Sequence, residues 1–323
     1  MYKKLFSLLF IFLLLSAAGC KKEPQPVPEE EYGKPEPVFQ VIPEDINNAD
    51  SYDQPRIQFV WQGPNREKPE IWSIKIDGTD LRLAADKDLL YQGETKDLNF
   101  AVYPVRSPDN RYILVHFTSM SMPYRIHLID LKEKTNKFIL DCQIWHAPWV
   151  GDSQSFFCNF DHRLKRVYFK SGKVKELNEI LGSHIFVLQN SEHIVQMEED
   201  GFKILDFNGK EIRYEKLGRI RDIIHNISKN GKYIMYMDYN PKNINTSRKV
   251  AFLEEPTTII SGHRSLDGIS EQLDKYITFS RWQIFSGNIK GNNKKAIYTK
   301  KGNDTYDDKN GYSFGRLTLY NDK

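Results

Sequence analysis

The chain has 323 residues, of which 40% are hydrophobic and 13% aromatic. This length and composition suffice for one large hydrophobic core or two modest ones, and they exclude a chain that is disordered throughout. The 46 basic and 43 acidic side chains give a formal net charge of only +3. Such a near balance argues against a nucleic-acid partner, because binding to phosphates normally needs a basic face.

The first residues have the three zones of an export signal. Lys3 and Lys4 form a short basic start, an apolar run covers residues 5–15, and small residues precede Cys20. This order of zones is typical of a signal peptide. The apolar run of about eleven residues is too short to span a bilayer core, which needs roughly 20. The sequence therefore predicts a signal peptide over residues 1–19.

The cysteine that ends this segment predicts a lipid anchor. Ala18-Gly19-Cys20 resembles the lipobox of bacterial lipoproteins, in which a diacylglycerol is attached to the cysteine thiol. The commonest lipobox has Leu where this chain has Ala17, although small residues are tolerated there. Because more than one acyl chain is attached in such proteins, the resemblance implies stable anchoring through Cys20.

The residues after the cysteine predict where the anchor lies and how it is joined to the rest of the chain. Lys21 and Lys22 follow Cys20, and the absence of Asp there resembles lipoproteins of the Gram-negative outer membrane that face the periplasm. Residues 20–37 are rich in Pro and Glu, so we expect a disordered, extended linker. At about 3.1 Å per residue, this linker reaches some 50 Å from the membrane.

From residue 38 to the end, the apolar residues alternate with a period of two, which indicates an all-β domain. A turn with Asp, Asn or Ser followed by a short apolar strand recurs six times. The residue before each of these strands is Arg56, Arg111, Ser155, His193, Lys232 or Lys275. Intervals of 38 to 55 residues are typical of the blades of a propeller.

Further strands complete each repeat. An apolar segment precedes each later turn, for example residues 100–105 and 184–188, and a second and usually a third strand follow, as at residues 126–129 and 138–140. Four strands in each of six units predict a six-bladed β-propeller over residues 38–323.

One stretch carries a family resemblance. The residues Arg106-Ser-Pro-Asp-Asn-Arg-Tyr-Ile113, followed by Tyr124-Arg-Ile-His-Leu-Ile-Asp130, resemble the TolB-type (WD40-like) propeller repeat. That repeat has a Trp-Ser-Pro-Asp-Gly turn and a later strand that ends in Asp-x-x-Gly. Residues 70–79 match its second half, whereas the third, fourth and sixth units lack the Ser-Pro-Asp-Gly core.

Two cysteines besides Cys20 lie in this domain. Cys142 and Cys158 are sixteen residues apart, and an exported protein meets an oxidising compartment in which a disulfide is permitted. The spacing does not show whether their Cα atoms lie within bridging distance. A disulfide and two buried thiols both remain open.

Few residues suggest chemistry. The sequence has no phosphate loop, zinc motif or nucleophile elbow, and no cofactor is predicted. Residues 77–80, Asp-Gly-Thr-Asp, are expected to be a hairpin turn of the repeat, with calcium binding as the alternative. A residue seven positions before each repeat turn is expected to face the mouth of a central channel. These residues are Ile46, Val102, His146, His184, Ile223 and Asp267. Two imidazoles and a carboxylate are a common metal-ligand set, so His146, His184 and Asp267 are candidate channel-mouth residues.

Aromatic residues and long loops are the other candidates for a binding face. Trp149 stands where the repeat carries its own packing Trp, so we expect it to be buried, whereas Trp145 and Trp282 are candidates for a binding face. The segments at residues 120–123 and 240–247 lengthen their units, and loops of this kind often carry function.

These features together predict a lipid-anchored protein of the cell envelope. We expect a non-enzymatic propeller scaffold that binds another envelope protein or a peptide. The alternative is an envelope glycan-active enzyme, a polysaccharide lyase or hydrolase, because some propellers with TolB-like repeats act on polysaccharides at the channel mouth. Fold alone does not decide between the two.

Overall fold

A computed structural model shows the chain from residue 41 onward. It describes residues 41–48, 52–61, 67–95, 101–119, 122–142, 148–160, 163–179, 185–188, 192–198, 201–216, 224–228, 233–238, 247–252, 258–260, 266–270, 272–273, 275–280, 283–288, 295–299 and 318–320. All of them belong to one compact unit, Val41–Lys323. The predicted signal peptide, Cys20 and the linker lie outside the described residues.

The described residues form six antiparallel sheets, numbered here in chain order. Sheet 1 contains β1 (Arg56–Trp61), β2 (Glu70–Lys75), β3 (Arg82–Ala85) and the last described strand of the chain, β23 (Thr318–Tyr320). Sheet 2 contains β4 (Ala101–Arg106), β5 (Tyr112–Ser119), β6 (Met122–Asp130) and β7 (Thr135–Asp141). Sheet 3 contains β8 (Phe156–Phe160), β9 (Arg163–Tyr168) and β10 (Lys173–Glu179). A short helix, α1 (Lys87–Leu90), and a 3₁₀ helix (Gly93–Thr95) follow β3.

The remaining three sheets have four strands each. Sheet 4 contains β11 (Ile185–Leu188), β12 (His193–Glu198), β13 (Gly201–Asp206) and β14 (Glu211–Lys216). Sheet 5 contains β15 (Ile224–Ile227), β16 (Tyr233–Asp238), β17 (Ser247–Phe252) and β18 (Thr258–Ile260). Sheet 6 contains β19 (Leu266–Ser270), β20 (Lys275–Ser280), β21 (Gln283–Asn288) and β22 (Lys295–Thr299). Sheet 3 has three strands among the described residues, and an isolated bridge between Trp149 and Phe156 marks the place of a first strand.

The repeat read from the sequence corresponds to these sheets. The second strand of each unit begins at the predicted residue or one residue after it. These strands are β1, β5, β8, β12, β16 and β20. The prediction succeeds because the turn residues and the period-two alternation are local signals, which do not depend on distant parts of the chain.

The last strand closes the first sheet. In β23, Tyr320 pairs with Arg56 and Thr318 pairs with Gln58 of β1. The first position of sheet 1 is therefore filled from the carboxyl end of the chain. The placement of Ile46 at this position was wrong, since Ile46 instead packs, partly buried, against the core between sheets 1 and 2. The first strands of neighbouring sheets contact one another: β23 contacts β4 and β19, and β15 contacts β11 and β19.

Hydrophobic cores lie between successive sheets, because both faces of the middle strands carry apolar side chains. In β5, Ile113 and Val115 pack in the core shared with sheet 1, and Leu114 packs in the core shared with sheet 3. In β11, Val187 faces sheet 3 and Phe186 faces sheet 5. Successive side chains of a strand point to opposite faces, so a continuous apolar run fills two cores at once.

Candidate functional site

A buried group of polar side chains lies where the start of the described chain meets its last strand. The segment before β1 pairs with β3 through two hydrogen bonds of 2.8 Å, from the Leu83 amide to the Ile42 carbonyl and from the Glu44 amide to the Leu83 carbonyl. This pairing brings the side chain of Glu44 to Arg106 at the end of β4 and to Tyr320 at the end of β23. We call Glu44, Tyr52, Arg106 and Tyr320 the closure cluster.

A salt bridge forms the centre of the closure cluster. Nη2 of Arg106 lies 2.7 Å from Oε1 of Glu44, and the two side chains are 0% and 1% exposed. Nε of Arg106 donates to the Asn110 carbonyl at 2.8 Å, and Nη1 donates to Oε1 of Gln58 at 3.3 Å. A charge pair can be buried at moderate cost only when its remaining donors and acceptors are also bonded, as they are here.

Two tyrosines complete the coordination of Glu44. The hydroxyls of Tyr52 and Tyr320 donate to the same carboxylate oxygen, Oε1, at 2.9 and 3.0 Å. The guanidinium carbon of Arg106 also lies 4.9 Å from the centroid of the Tyr320 ring, which is cation–π distance. The carboxylate of Glu44 thus joins the segment before β1 to the second sheet and to the last strand.

The pKa values of these groups follow from their contacts. Burial by itself raises the pKa of Glu44, but the positive charge of Arg106 and the hydrogen bond from Tyr52 outweigh it and lower the pKa below its ordinary value. Burial and the negative charge of Glu44 raise the pKa values of Tyr52 and Tyr320. Glu44 is therefore ionised and both phenols are protonated, which is the state that the hydrogen bonds require.

A second ionic group lies beside the closure cluster. Nη1 of Arg56 lies 2.8 Å from Oδ2 of Asp80, and Nη2 donates to the Asp80 carbonyl at 2.6 Å. In the preceding turn, Oδ1 of Asp77 accepts hydrogen bonds from the amide and the hydroxyl of Thr79 at 2.8 and 2.6 Å. Gly78 has φ of +89°, as a tight hairpin requires. Residues 77–80 are therefore the expected hairpin turn, with their carboxylates used by the protein itself.

Three of the repeat turns share one backbone hydrogen bond despite different sequences. An amide donates to the carbonyl five residues later, from Ser107 to Tyr112, from Val150 to Ser155 and from Ser228 to Tyr233. The amide of Tyr112 donates to the Ser107 hydroxyl, and the amide of Tyr233 donates to the Ser228 hydroxyl, both at 2.8 Å. In the third unit, which lacks Ser-Pro-Asp-Gly, the Val150 amide still donates to the Ser155 carbonyl at 3.0 Å. Backbone hydrogen bonds thus preserve the turn after its signature residues are lost.

The predicted channel-mouth residues are not brought together by anything the structure describes. His146 and His184 lie outside the described residues, and Asp267 lies on β19 with its side chain outside them. Among the residues that the structure describes, no three His, Cys, Asp or Glu side chains form a group that would hold a metal ion. The metal-ligand set of His146, His184 and Asp267 stays a prediction.

Trp149 has the packing role expected of it. It is 0% exposed, and its Nε1 donates to the Val105 carbonyl of sheet 2 at 2.9 Å. Trp145 and Trp282, the candidates for a binding face, lie outside the described residues. The same turn position in the second unit holds Arg106, which reaches Glu44 in place of filling a core. The replacement of Trp by Arg in the repeat signature is a sequence signal for the closure cluster, which was not predicted.

The two cysteines of the domain form a disulfide. Cys142 and Cys158 are bonded, with their Cα atoms 6.1 Å apart. The alternative of two buried thiols was therefore wrong. Sequence spacing did not decide the matter, because the distance between the two residues depends on how sheets 2 and 3 pack.

None of the helical segments among the described residues has the length and hydrophobicity that a membrane-spanning helix needs. No protein-family model matches the sequence, and the comparison with curated proteins finds no match either.

Solved structures do match. The crystal structure of TolB from Acinetobacter baumannii matches over 82% of this chain and 66% of its own, with a TM-score of 0.59 and 14% identity, so this chain spans slightly less than two thirds of TolB. A chain in the crystal structure of a nidogen/laminin complex matches over 82% of this chain and 98% of its own, with a TM-score of 0.53 and 7% identity. An oligogalacturonate lyase in complex with manganese has a TM-score of 0.46, at 12% identity over 78% of this chain and 75% of its own. The first two likenesses show that the chain has a TolB-like propeller fold.

Proposed function

We propose that this protein is a lipid-anchored lipoprotein of the cell envelope, in the outer membrane and facing the periplasm, whose six-bladed β-propeller binds another protein or a peptide without catalysis. Contacts between the first strands of neighbouring sheets support six blades around one axis. Pairing of β23 with β1 supports a closed ring, since it joins the two ends of the described chain.

The observation that carries the proposal is that buried ionisable side chains are hydrogen-bonded to other groups of the protein itself. Glu44 and Arg106 are bonded to each other and to surrounding groups inside the protein. The imidazole of His116 is 2% exposed and is hydrogen-bonded to the backbone of Cys142. A catalytic acid or base must reach its substrate, and these groups face the protein interior. They instead join segments of the propeller to one another, and recognition on such a scaffold is carried by its exposed turns and loops.

The anchor is tested by metabolic labelling with radioactive palmitate. The wild-type protein is expected to incorporate label, and Cys20→Ser is expected to incorporate none. Cys142→Ser is the matched control, because it removes a different thiol and should keep the label. Unlabelled wild-type protein would refute the anchor.

The binding role is tested by site-specific photo-crosslinking in living cells with the full-length protein. Lys132 lies in the turn between β6 and β7 of sheet 2. Arg163 is the first residue of β9 in sheet 3, where β9 follows β8, so the two residues lie at opposite ends of their strands. Both side chains are accessible: Lys132 is exposed, and the side chain of Arg163 is 52% exposed. A propeller that recognises a protein through one face is expected to give a discrete adduct from one of these positions. Val174, which is 45% exposed on the outermost strand of sheet 3, serves as the control position.

The alternative hypothesis, that the protein is a glycan-active enzyme, predicts a different result. Such an enzyme would shorten an envelope polysaccharide in solution, and no protein adduct would form at either end of the propeller. That combination of outcomes would replace the scaffold with the enzyme.

A further inference from the structure

The disulfide joins two sheets rather than two strands of one sheet. Cys142 directly follows β7, the outermost strand of sheet 2, and Cys158 lies on β8 of sheet 3. The sequence between the two cysteines contains the turn at residues 150–155 that starts sheet 3. The bond therefore closes the loop by which the chain passes from one sheet to the next.

Both cysteines are buried in the core between these sheets. Cys142 is 2% exposed and Cys158 is 3% exposed, within the cluster that also contains Trp149, Phe156 and Tyr112. Thiol–disulfide exchange requires contact between the attacking sulfur and the attacked one. Once sheets 2 and 3 have packed, no oxidant or reductant reaches these sulfur atoms without an opening of that core. We therefore expect the bond to form before packing is complete.

Hydrogen bonds between sheets 2 and 3 lie close to the disulfide. Across residues 148–150, the part of the first-strand position of sheet 3 that the structure describes, Trp149 forms a bridge with Phe156, and the Phe157 amide of β8 donates to the Pro148 carbonyl at 2.8 Å. Two hydrogen bonds link this region to sheet 2, from Trp149 Nε1 to the Val105 carbonyl and from the Asp109 amide to the Ser153 hydroxyl, both at 2.9 Å. The disulfide is a covalent third link in the same place.

We propose that Cys142 and Cys158 are a thiol-oxidation site that is joined during folding by a disulfide-carrying oxidant, and that the bond holds sheet 3 against sheet 2. One cysteine thiolate attacks the oxidant's disulfide, which forms a mixed disulfide and releases one oxidant thiolate. The second cysteine thiolate then attacks the protein sulfur of the mixed disulfide and releases the other. Two protein thiols are oxidised, and one oxidant disulfide is reduced to a dithiol.

This inference rests on the proposed function in one respect, since export is what brings the chain to an oxidising compartment. The three cysteines of the chain allow the two ideas to be tested separately. Full-length protein is isolated in detergent from cells that carry the intact signal, denatured without reductant and treated with iodoacetamide. Mass spectrometry of the peptides then shows which thiols were free.

The expected result is no alkylated cysteine before reduction, and alkylation of Cys142 and Cys158 after it. Alkylation of Cys20 alone would show that lipid attachment had failed while the disulfide had formed. Alkylation of Cys142 and Cys158 without reduction would overturn the oxidation site and leave the anchor intact. Protein retained in the cytoplasm by removal of residues 1–19 should carry all three cysteines free, and oxidised glutathione should then join only Cys142 to Cys158 during refolding.

The holding role is tested by limited proteolysis of the oxidised wild-type protein and of the double variant Cys142→Ala/Cys158→Ala. Loss of the bond is expected to raise cleavage in sheet 3, at Arg163 and Lys165, by about 100-fold, if local opening limits cleavage. Cleavage at Lys203 in sheet 4 should change far less and serves as the internal control. Equal cleavage of the two proteins in sheet 3 would refute the holding role, even if the variant folds normally.

Discussion

Removal of one partner of the Glu44–Arg106 salt bridge should destabilise the propeller strongly. In Glu44→Leu, the guanidinium of Arg106 stays buried but loses the carboxylate 2.7 Å away, and both tyrosine hydroxyls lose their common acceptor. An uncompensated buried charge costs about 3–5 kcal/mol in proteins. We therefore expect the free energy of unfolding to fall by about that amount.

The double variant Glu44→Leu/Arg106→Leu should recover much of this loss. With both charges gone, no buried ion lacks a partner, and similar replacements in other proteins are often close to neutral. Urea unfolding followed by tryptophan fluorescence gives the free energies for both single variants and the double variant. The coupling energy from this cycle is expected to exceed about 2 kcal/mol.

A matched control uses an exposed carboxylate. Glu133 is paired with Arg111 at 3.4 Å, and its side chain is 60% exposed. Glu133→Leu should change stability by about 0–1 kcal/mol, because surface pairs are weak. If Glu44→Leu costs no more than this control, or if the effects of the two single variants simply add, the reasoning from burial is wrong.

Three further outcomes follow from the described contacts. Tyr320→Phe keeps the ring beside Arg106 but removes the hydroxyl 3.0 Å from Glu44, so it should cost about 0.5–1.5 kcal/mol in urea unfolding. Trp149→Phe removes the donor to the Val105 carbonyl and part of the core between sheets 2 and 3, so it should lower the thermal midpoint in calorimetry, and an unchanged midpoint would contradict the packing role. Burial lowers the pKa of His116 from its ordinary value of 6.5 to about 3, so below pH 6.5 the unfolded state gains a proton that the folded state does not bind. Stability should therefore decline by up to about 1.4 kcal/mol per pH unit as the pH falls from 6.5 toward 3, and His116→Gln should lessen this slope; equal slopes would refute the assignment.

Much of the fold was predictable from local signals. The turn before Tyr112 and the turn before Tyr233 have the Ser, Asp or Asn residues that hydrogen-bond their own backbone, and period-two apolar strands follow them. Such signals act over a few residues, so they located the second strand of all six units. The burial of Trp149 was predictable for the same reason, since it occupies a fixed place in the repeat.

The position of Ile46 could not be predicted in this way. The residue seven positions before a turn lies on the first strand only if the unit takes that strand from the residues just upstream. In sheet 1 that strand is β23, from the far end of the chain, and Tyr320 stands beside Arg56. Pairing between residues so far apart in sequence leaves no local pattern to read.

The sequence by itself determined the repeat, its turns and the amino-terminal features that predict export and a lipid at Cys20, because each depends on residues that are close together along the chain. Only the tertiary structure decided which strand completes sheet 1, that Cys142 and Cys158 are bonded, and that Glu44 meets Arg106 and Tyr320. Each of these contacts joins different sheets or opposite ends of the chain. Their geometry is set by how the sheets pack, which the order of residues within any one unit does not specify.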